Sequence, residues 1–265
     1  MGVLERRRKS AEEIGFLREA QAATEGAVEM ACGLIARASA RADGVLEDAG
    51  GVLTAERVRG MIGVRLMEGG YQAPPSIVAC GPMGGDCHEH GRGELRTGEP
   101  VIVDVFPQSL TSMYQGDCTR TVVHGTVTPE LMRMHAAVVE AKAAATRVLR
   151  AGVFAGDVHT ATIVSLRARG FERALPGADA PPTFVSLQHG TGHGLGLDGH
   201  EPPLLDGEAG TGAVLMDGEV VTVEPGLYSV ASGGVRVEDA LLVTGAGHEN
   251  LGRAHPRLHE GLDWR

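Results

Sequence analysis

The chain has 265 residues and a formal net charge of -10, with 43% hydrophobic and 22% charged residues. This is the composition of a globular chain long enough for one large domain or two small ones, with no apolar run that could span a bilayer. The acid excess argues against nucleic acid or an anionic membrane as the main partner, since either requires a basic face to displace counterions.

The opening MGVLERRRKS is basic and is not followed by an apolar secretory stretch, so a cytoplasmic location is expected. Ser10 and Glu13 then make a capping-box pattern, and Ile14, Leu17, Val28, Ala31 and Ile35 fall at helical spacing, which predicts a first helix. A second is expected from Thr54 to about Met67, stopped by Gly69 and Gly70. The runs PSIVACG, PVIVDVF and TRTVVHG are short, β-branched and bounded by Pro or Gly, and read as strands. Thr128 with Pro129 opens a third helix running through Arg150, and Asp157 is expected to cap a fourth that stops at Gly170. TFVSLQH, GEVVTVEPGLYSV and GGVRVEDALLVTG are again strand-like, while residues 38–51, 175–182 and 204–212 read as loops.

The order helix, helix, strands thus runs twice. The economical architecture is α+β: a single domain over residues 1–265 whose two pseudo-symmetric halves meet across a curved antiparallel sheet with helices covering one face. The βαβαβ alternation of a doubly wound nucleotide-binding fold is absent. Cys32, Cys80, Cys87 and Cys118 contain no C-x-x-C pair and are expected to be reduced thiols.

Charged residues embedded in apolar runs carry the chemistry. VIVDVF holds Asp104, YQGDCTRT holds Asp117, GTGHGLG holds His193, VVTVEPGLY holds Glu224 and VRVEDALLV holds Glu238. Any one of these alone reads more readily as a turn or capping residue than as a ligand. Five together imply a compensating cation, because each uncompensated buried charge costs several kcal/mol. Four carboxylates and an imidazole suit two divalent ions, with Mn, Co, Fe or Zn favoured over Mg by the histidine. A phosphate-cradling loop lacks its strand-to-helix context, and HEHGR and HEPPL lack the second histidine of a zincin helix.

The spaced motifs IVDVF with DCTRT, HGTGHGLGLDGHEPP, TVEPGLY and GVRVEDALLVT resemble, in order, those of the pita-bread metallopeptidases, in particular the Xaa-Pro peptidases (aminopeptidase P and prolidase). The resemblance runs over nearly the whole chain. It implies a pita-bread catalytic domain, without the amino-terminal domain most of that family carries, and a peptide substrate with proline second. It implies further that Asp104, Asp117, His193, Glu224 and Glu238 hold two metal ions, with Asp117 and Glu238 bridging them and Glu224 also shuttling a proton. His189 and His200 match histidines that line the substrate pocket, Arg236 an arginine near metals and substrate, and Tyr228 a tyrosine of the same site. One family histidine falls in DCHEHGRGE, where His88 and His90 compete and His88 is preferred. By strand alternation Asp239 should face away from the metals, and Cys118 away from its neighbour Asp117.

The step from Glu224 to Glu238 and the EPGLY and GVRVED wording favour Xaa-Pro peptidases over methionine aminopeptidases. The loop between Asp104 and Asp117 is longer than the family's usual one and is expected to alter the pocket rim. A non-catalytic binding module of the same fold is the rival from another class, disfavoured because all five ligand positions are filled. Homodimerisation is left open.

Overall fold

A computed structural model describes residues 5–207, 212–252, 255 and 258–265. The first helix, α1 (Ala11–Ala36), starts where expected: the Ser10 hydroxyl accepts from Glu13 N–H and the Glu13 carboxylate accepts from Ser10 N–H. It packs on α2 (Ala55–Glu68), and both lie against an antiparallel sheet ordered Ile77–Cys80, Pro100–Val105, Cys118–Val123. In the middle strand Val101, Val103 and Val105 enter the core under α1 and α2, so Ile102 and Asp104 face the other way.

The second half repeats the plan. Helices α3 (Pro129–Val148) and α4 (Ala155–Ala168) pack on each other and cover strands of two sheets. One runs in the order Glu201–Leu205, Gly192–Gly194, Val220–Val223, Asp239–Thr244, Gly247–Asn250; the other runs Gly233–Arg236, Gly226–Ser229, Ser186–Leu187, Glu172–Arg173. The curved sheet expected from the sequence is therefore divided into separate sheets, and the Ser186–Leu187 and Glu172–Arg173 pair is parallel. Thr119 and Thr121 stitch the halves together. Thr121 Oγ1 donates to Arg236 O and accepts from Arg236 N–H, and Glu238 N–H donates to Thr119 O.

Three local expectations are corrected. Residues 38–51 are not a loop but hold short strands at Ser39–Ala40, Leu46–Asp48 and Gly51–Val52. Their order comes from a distant partner, since Leu46 N–H donates to Leu95 O and Val45 bridges to Arg96. Asp157 does not cap α4. Phe154 holds the cap position, because Ala155 N–H is taken by Ala213 O and the helix starts early, with Asp157 in its first turn. Of the supposed loop 204–212, Leu204 and Leu205 belong to a strand, and residues 208–211 lie outside the described ones. Among the described residues no helix is long and apolar enough to cross a membrane.

Glu25 on α1 is 1% exposed, and its Oε2 has no hydrogen-bond partner among the described residues. Burial first, then the charge of Asp239, pushes its carboxyl from 4.5 up to about 7. The raised value means that the folded state keeps a proton the unfolded chain has lost. The cost is absent below about pH 4.5, grows as pH rises toward 7, and is full above it. Glu25→Gln should therefore stabilise the protein by about 1–3 kcal/mol at pH 8 and hardly at all at pH 4.5, as thermal melts at the two pH values would show. An equal shift at both would refute a titrating Glu25.

Candidate active site

The face of the Pro100–Val105 strand that carries Asp104 opens on a cavity of about 850 Å³ at the seam between the halves. Asp104 and Asp117 reach it from the first half; His193, Glu224 and Glu238 reach it from the second. Asp117 is fixed through its backbone by the buried amide of Gln21 on α1, which accepts from Asp117 N–H and donates to Asp117 O, both at 3.0 Å. Glu238 Oε2 accepts from Thr119 Oγ1 at 2.7 Å, and Thr119 lies directly across the strand pair from Asp104.

His193 sits between two glycines for a steric reason. A Cβ at Gly192 would lie 2.0 Å from Thr222 O, and one at Gly194 would lie 2.5 Å from Pro202 O. Only glycine lets the flanking strands close around the histidine. The ring Nδ1 is 3.1 Å from Gly194 O, which turns Nε2 toward Glu224 Oε1 at 3.2 Å and Asp117 Oδ2 at 3.8 Å.

One ligating atom from each of Asp117, His193 and Glu238 lies within 4.8 Å of the others. Asp104 uses Oδ2 to accept from Arg236 at 2.6 Å, while its Oδ1 is buried with no hydrogen-bond partner among the described residues. An orphaned carboxylate oxygen beside two further carboxylates and an imidazole fits the donor set of a divalent metal. The electrostatics agree. Burial and the charges of Glu238, Asp104 and Glu224 hold Asp117 far above its ordinary range, and burial with Glu224 and Asp104 does the same to Glu238. For Glu224 burial pushes upward, but the hydrogen bond and charge of His193, with the charges of His189 and Arg236, outweigh it and hold the carboxyl below its ordinary range.

The remaining expected residues are less alike than the sequence suggested. Arg236 is 3% exposed; beyond Asp104 it donates to Tyr228 Oη at 2.8 Å and to Thr119 Oγ1 and Cys87 O, each at 3.3 Å. Tyr228 is fully buried and lies behind the cavity wall rather than in it. Its hydroxyl contacts His189 Nε2 at 2.6 Å, tucked where a Cβ on Gly226 would clash. His189 Nδ1 contacts Gly190 O at 2.7 Å, so both ring nitrogens are engaged and only the ring's edge and face remain for a ligand. Burial pushes His189 down to about 4. His200 is exposed, with its ring edge-on to His193 at 4.0 Å between centroids. His88 and His90 both line the cavity.

Asp239 turns away, into a buried cluster with Arg120 and Lys142, and Cys118 points into the core under α1. Gln21, Thr119 and Arg120, which donates to Glu238 O, were not singled out from the sequence. They act on ligand backbones or carboxylates from positions with no motif of their own.

Like halves meeting at a seam of buried carboxylates, with an imidazole among them, under two pairs of helices, are the architecture of the pita-bread class. The sequence profile of metallopeptidase family M24 matches residues 15–245. The chain is 33% identical over 273 residues to Xaa-Pro aminopeptidase 2 of Streptomyces coelicolor, an alignment covering 96% of this chain and 56% of that protein. It is 35% identical over 179 residues to the probable dipeptidase PepE of Mycobacterium tuberculosis, covering 67% of this chain and 44% of that one. Among solved structures it resembles the Xaa-Pro dipeptidase of Bacillus anthracis, with a TM-score of 0.79 and 26% identity over 95% of this chain and 63% of that one. The chain belongs to metallopeptidase family M24, whose members use divalent metal. It spans about half the length of the curated relatives it matches.

Proposed function

We propose that the protein is a dinuclear metallo-exopeptidase that removes the first residue from peptides with proline second. The observation that carries this reading is the convergence of Asp104, Asp117, His193, Glu224 and Glu238 on one cavity, with Asp104 Oδ1 unsatisfied among the described residues. Relatives named Xaa-Pro aminopeptidase and Xaa-Pro dipeptidase support the choice of substrate over a methionine aminopeptidase or a binding module. Those five residues would hold two divalent ions, of Mn, Co, Fe or Zn, which supply Lewis acidity for water activation and carbonyl polarisation.

The chain's own groups then have distinct work. Glu224 takes a proton from the attacking water at a carboxylate oxygen and passes it to the departing nitrogen. His200, with His88 as the second donor, hydrogen-bonds the oxygen on which negative charge develops. His189 presents its ring to the substrate, and an Xaa-Pro bond, having no N–H, must be selected by shape. Arg236 holds one oxygen of Asp104 so that the other faces the cavity.

A panel of Xaa-Pro dipeptides, longer Xaa-Pro peptides and Met-Ala peptides tests the reading. Chelator-sensitive cleavage restricted to Xaa-Pro bonds is expected, and preferred cleavage of Met-Ala peptides would overturn it. His200→Ala should lower kcat by about 10²-fold, the scale of one positioned proton donor. Elemental analysis should still find two ions per chain; loss of metal would instead make His200 a ligand.

A further inference from the structure

The residues before α1 run as a basic strap along the second half. Lys9 N–H donates to Gly218 O, Arg7 pairs with Glu219, Arg8 donates to Asp217 O and Arg6 pairs with Asp198. Lys9 is set apart by burial: its side chain is 2% exposed, and Nζ lies 3.2 Å from Oε2 of Glu201, whose side chain is 1% exposed.

Glu201 directly follows His200 and folds back over the turn that precedes it. Its Oε1 accepts from Leu197 N–H at 3.1 Å and from Asp198 N–H at 3.2 Å. The carboxylate lies over Gly196, where a Cβ would come within 2.6 Å of Oε2. Gln108 and Gln115 hold the same turn by donating to Leu197 O, each at 3.1 Å. The exposed ring of His200 is therefore placed by the backbone of a turn that a buried carboxylate closes, and the nearer cation on that carboxylate is the buried Lys9 ammonium at 3.2 Å, with Arg6 Nη1 3.8 Å from its other oxygen.

We propose that Lys9 and Glu201 are a positioning pair for His200, tying the strap ahead of α1 to the side chain that meets the substrate. The pair rests on the reading of His200 given above. Without the ammonium, the Glu201 carboxylate turns toward Arg6 and water. The Leu197 and Asp198 amides then lose their acceptor, and His200 loses its fixed approach to the reacting carbonyl.

The test is Lys9→Met in the full chain. Amide hydrogen exchange at Leu197 and Asp198 should speed by about tenfold or more, with or without added metal, as expected for the loss of a charge-assisted hydrogen bond. On Xaa-Pro peptides kcat should fall by about tenfold at an unchanged KM and unchanged metal content. Lys9→Arg should restore both, and Arg8→Ala, which loses only a contact to a carbonyl, should alter neither. If Lys9→Met does not fold, Glu201→Leu removes both the charge pair and the acceptor of the Leu197 and Asp198 amides and should give the same two changes. Unchanged exchange at Leu197 and Asp198 overturns the pair whatever the substrate is, as does faster exchange with wild-type kcat. A wild-type protein that cleaves no Xaa-Pro peptide overturns instead the reading of the site.

Discussion

Replacing Glu238 by glutamine is expected to abolish peptidase activity and, in the metal-free protein, to raise the melting temperature. The two effects have one cause. Glu238 is 1% exposed and shares the cavity with Asp104, Asp117 and Glu224, so in the absence of a cation the buried carboxylates repel one another and resist ionisation. Glutamine keeps an oxygen to accept from Thr119 while removing one charge. The relief should amount to about 1–3 kcal/mol, or roughly 2–10 °C for a chain of this size. Adding Mn²⁺ should raise the wild-type melting temperature well above the variant's, because binding to the folded state alone stabilises it. Several kcal/mol of transition-state stabilisation would go with the metal, about 10³-fold in rate. If the variant gains as much from Mn²⁺ as the wild type does, Glu238 is not a ligand.

The second large effect is expected at Arg236. Its guanidinium serves four acceptors: Asp104 Oδ2, Tyr228 Oη, Thr119 Oγ1 and Cys87 O. Arg236→Met leaves Asp104 buried beside other carboxylates without its cation, a loss of about 3–5 kcal/mol. The melting temperature should drop by roughly 6–20 °C, and activity should fall with it as Asp104 turns. Arg236→Lys should recover less than half of the lost stability, because an ammonium cannot reproduce a planar fork that reaches four acceptors. Wild-type stability and activity in Arg236→Lys would reduce the residue to a simple counter-charge.

Much of this was legible in the sequence because the signals are local. The capping box of Ser10 and Glu13 and the alternation through VIVDVF each lie within one element, and so they predict α1 and a buried face bearing Asp104. What escaped depends on partners far along the chain. Strands within residues 38–51 form because Leu46 and Val45 meet Leu95 and Arg96, and α4 begins at Ala155, with Phe154 as its cap, because Ala213 takes the first amide. The site divides in the same way. Motifs mark the side chains that face the cavity, but no motif marks Gln21, which grips Asp117 from a helix. Nor does periodicity reveal that Tyr228 stands behind His189, since that follows from Gly226 making room for its hydroxyl.

The seam also dictates an order of events during synthesis. Of the five proposed ligands the first half alone offers Asp104 and Asp117; His193, Glu224 and Glu238 come from the second half, where Thr119 holds the Glu238 carboxylate and Thr121 the strand that leads to it. A nascent chain that has emerged only through the Cys118–Val123 strand therefore lacks three of the five proposed ligands, and on that reading tight metal binding would follow the docking of the second half. Metal uptake would then be a late checkpoint that reports on the joining of the halves rather than on the folding of either one.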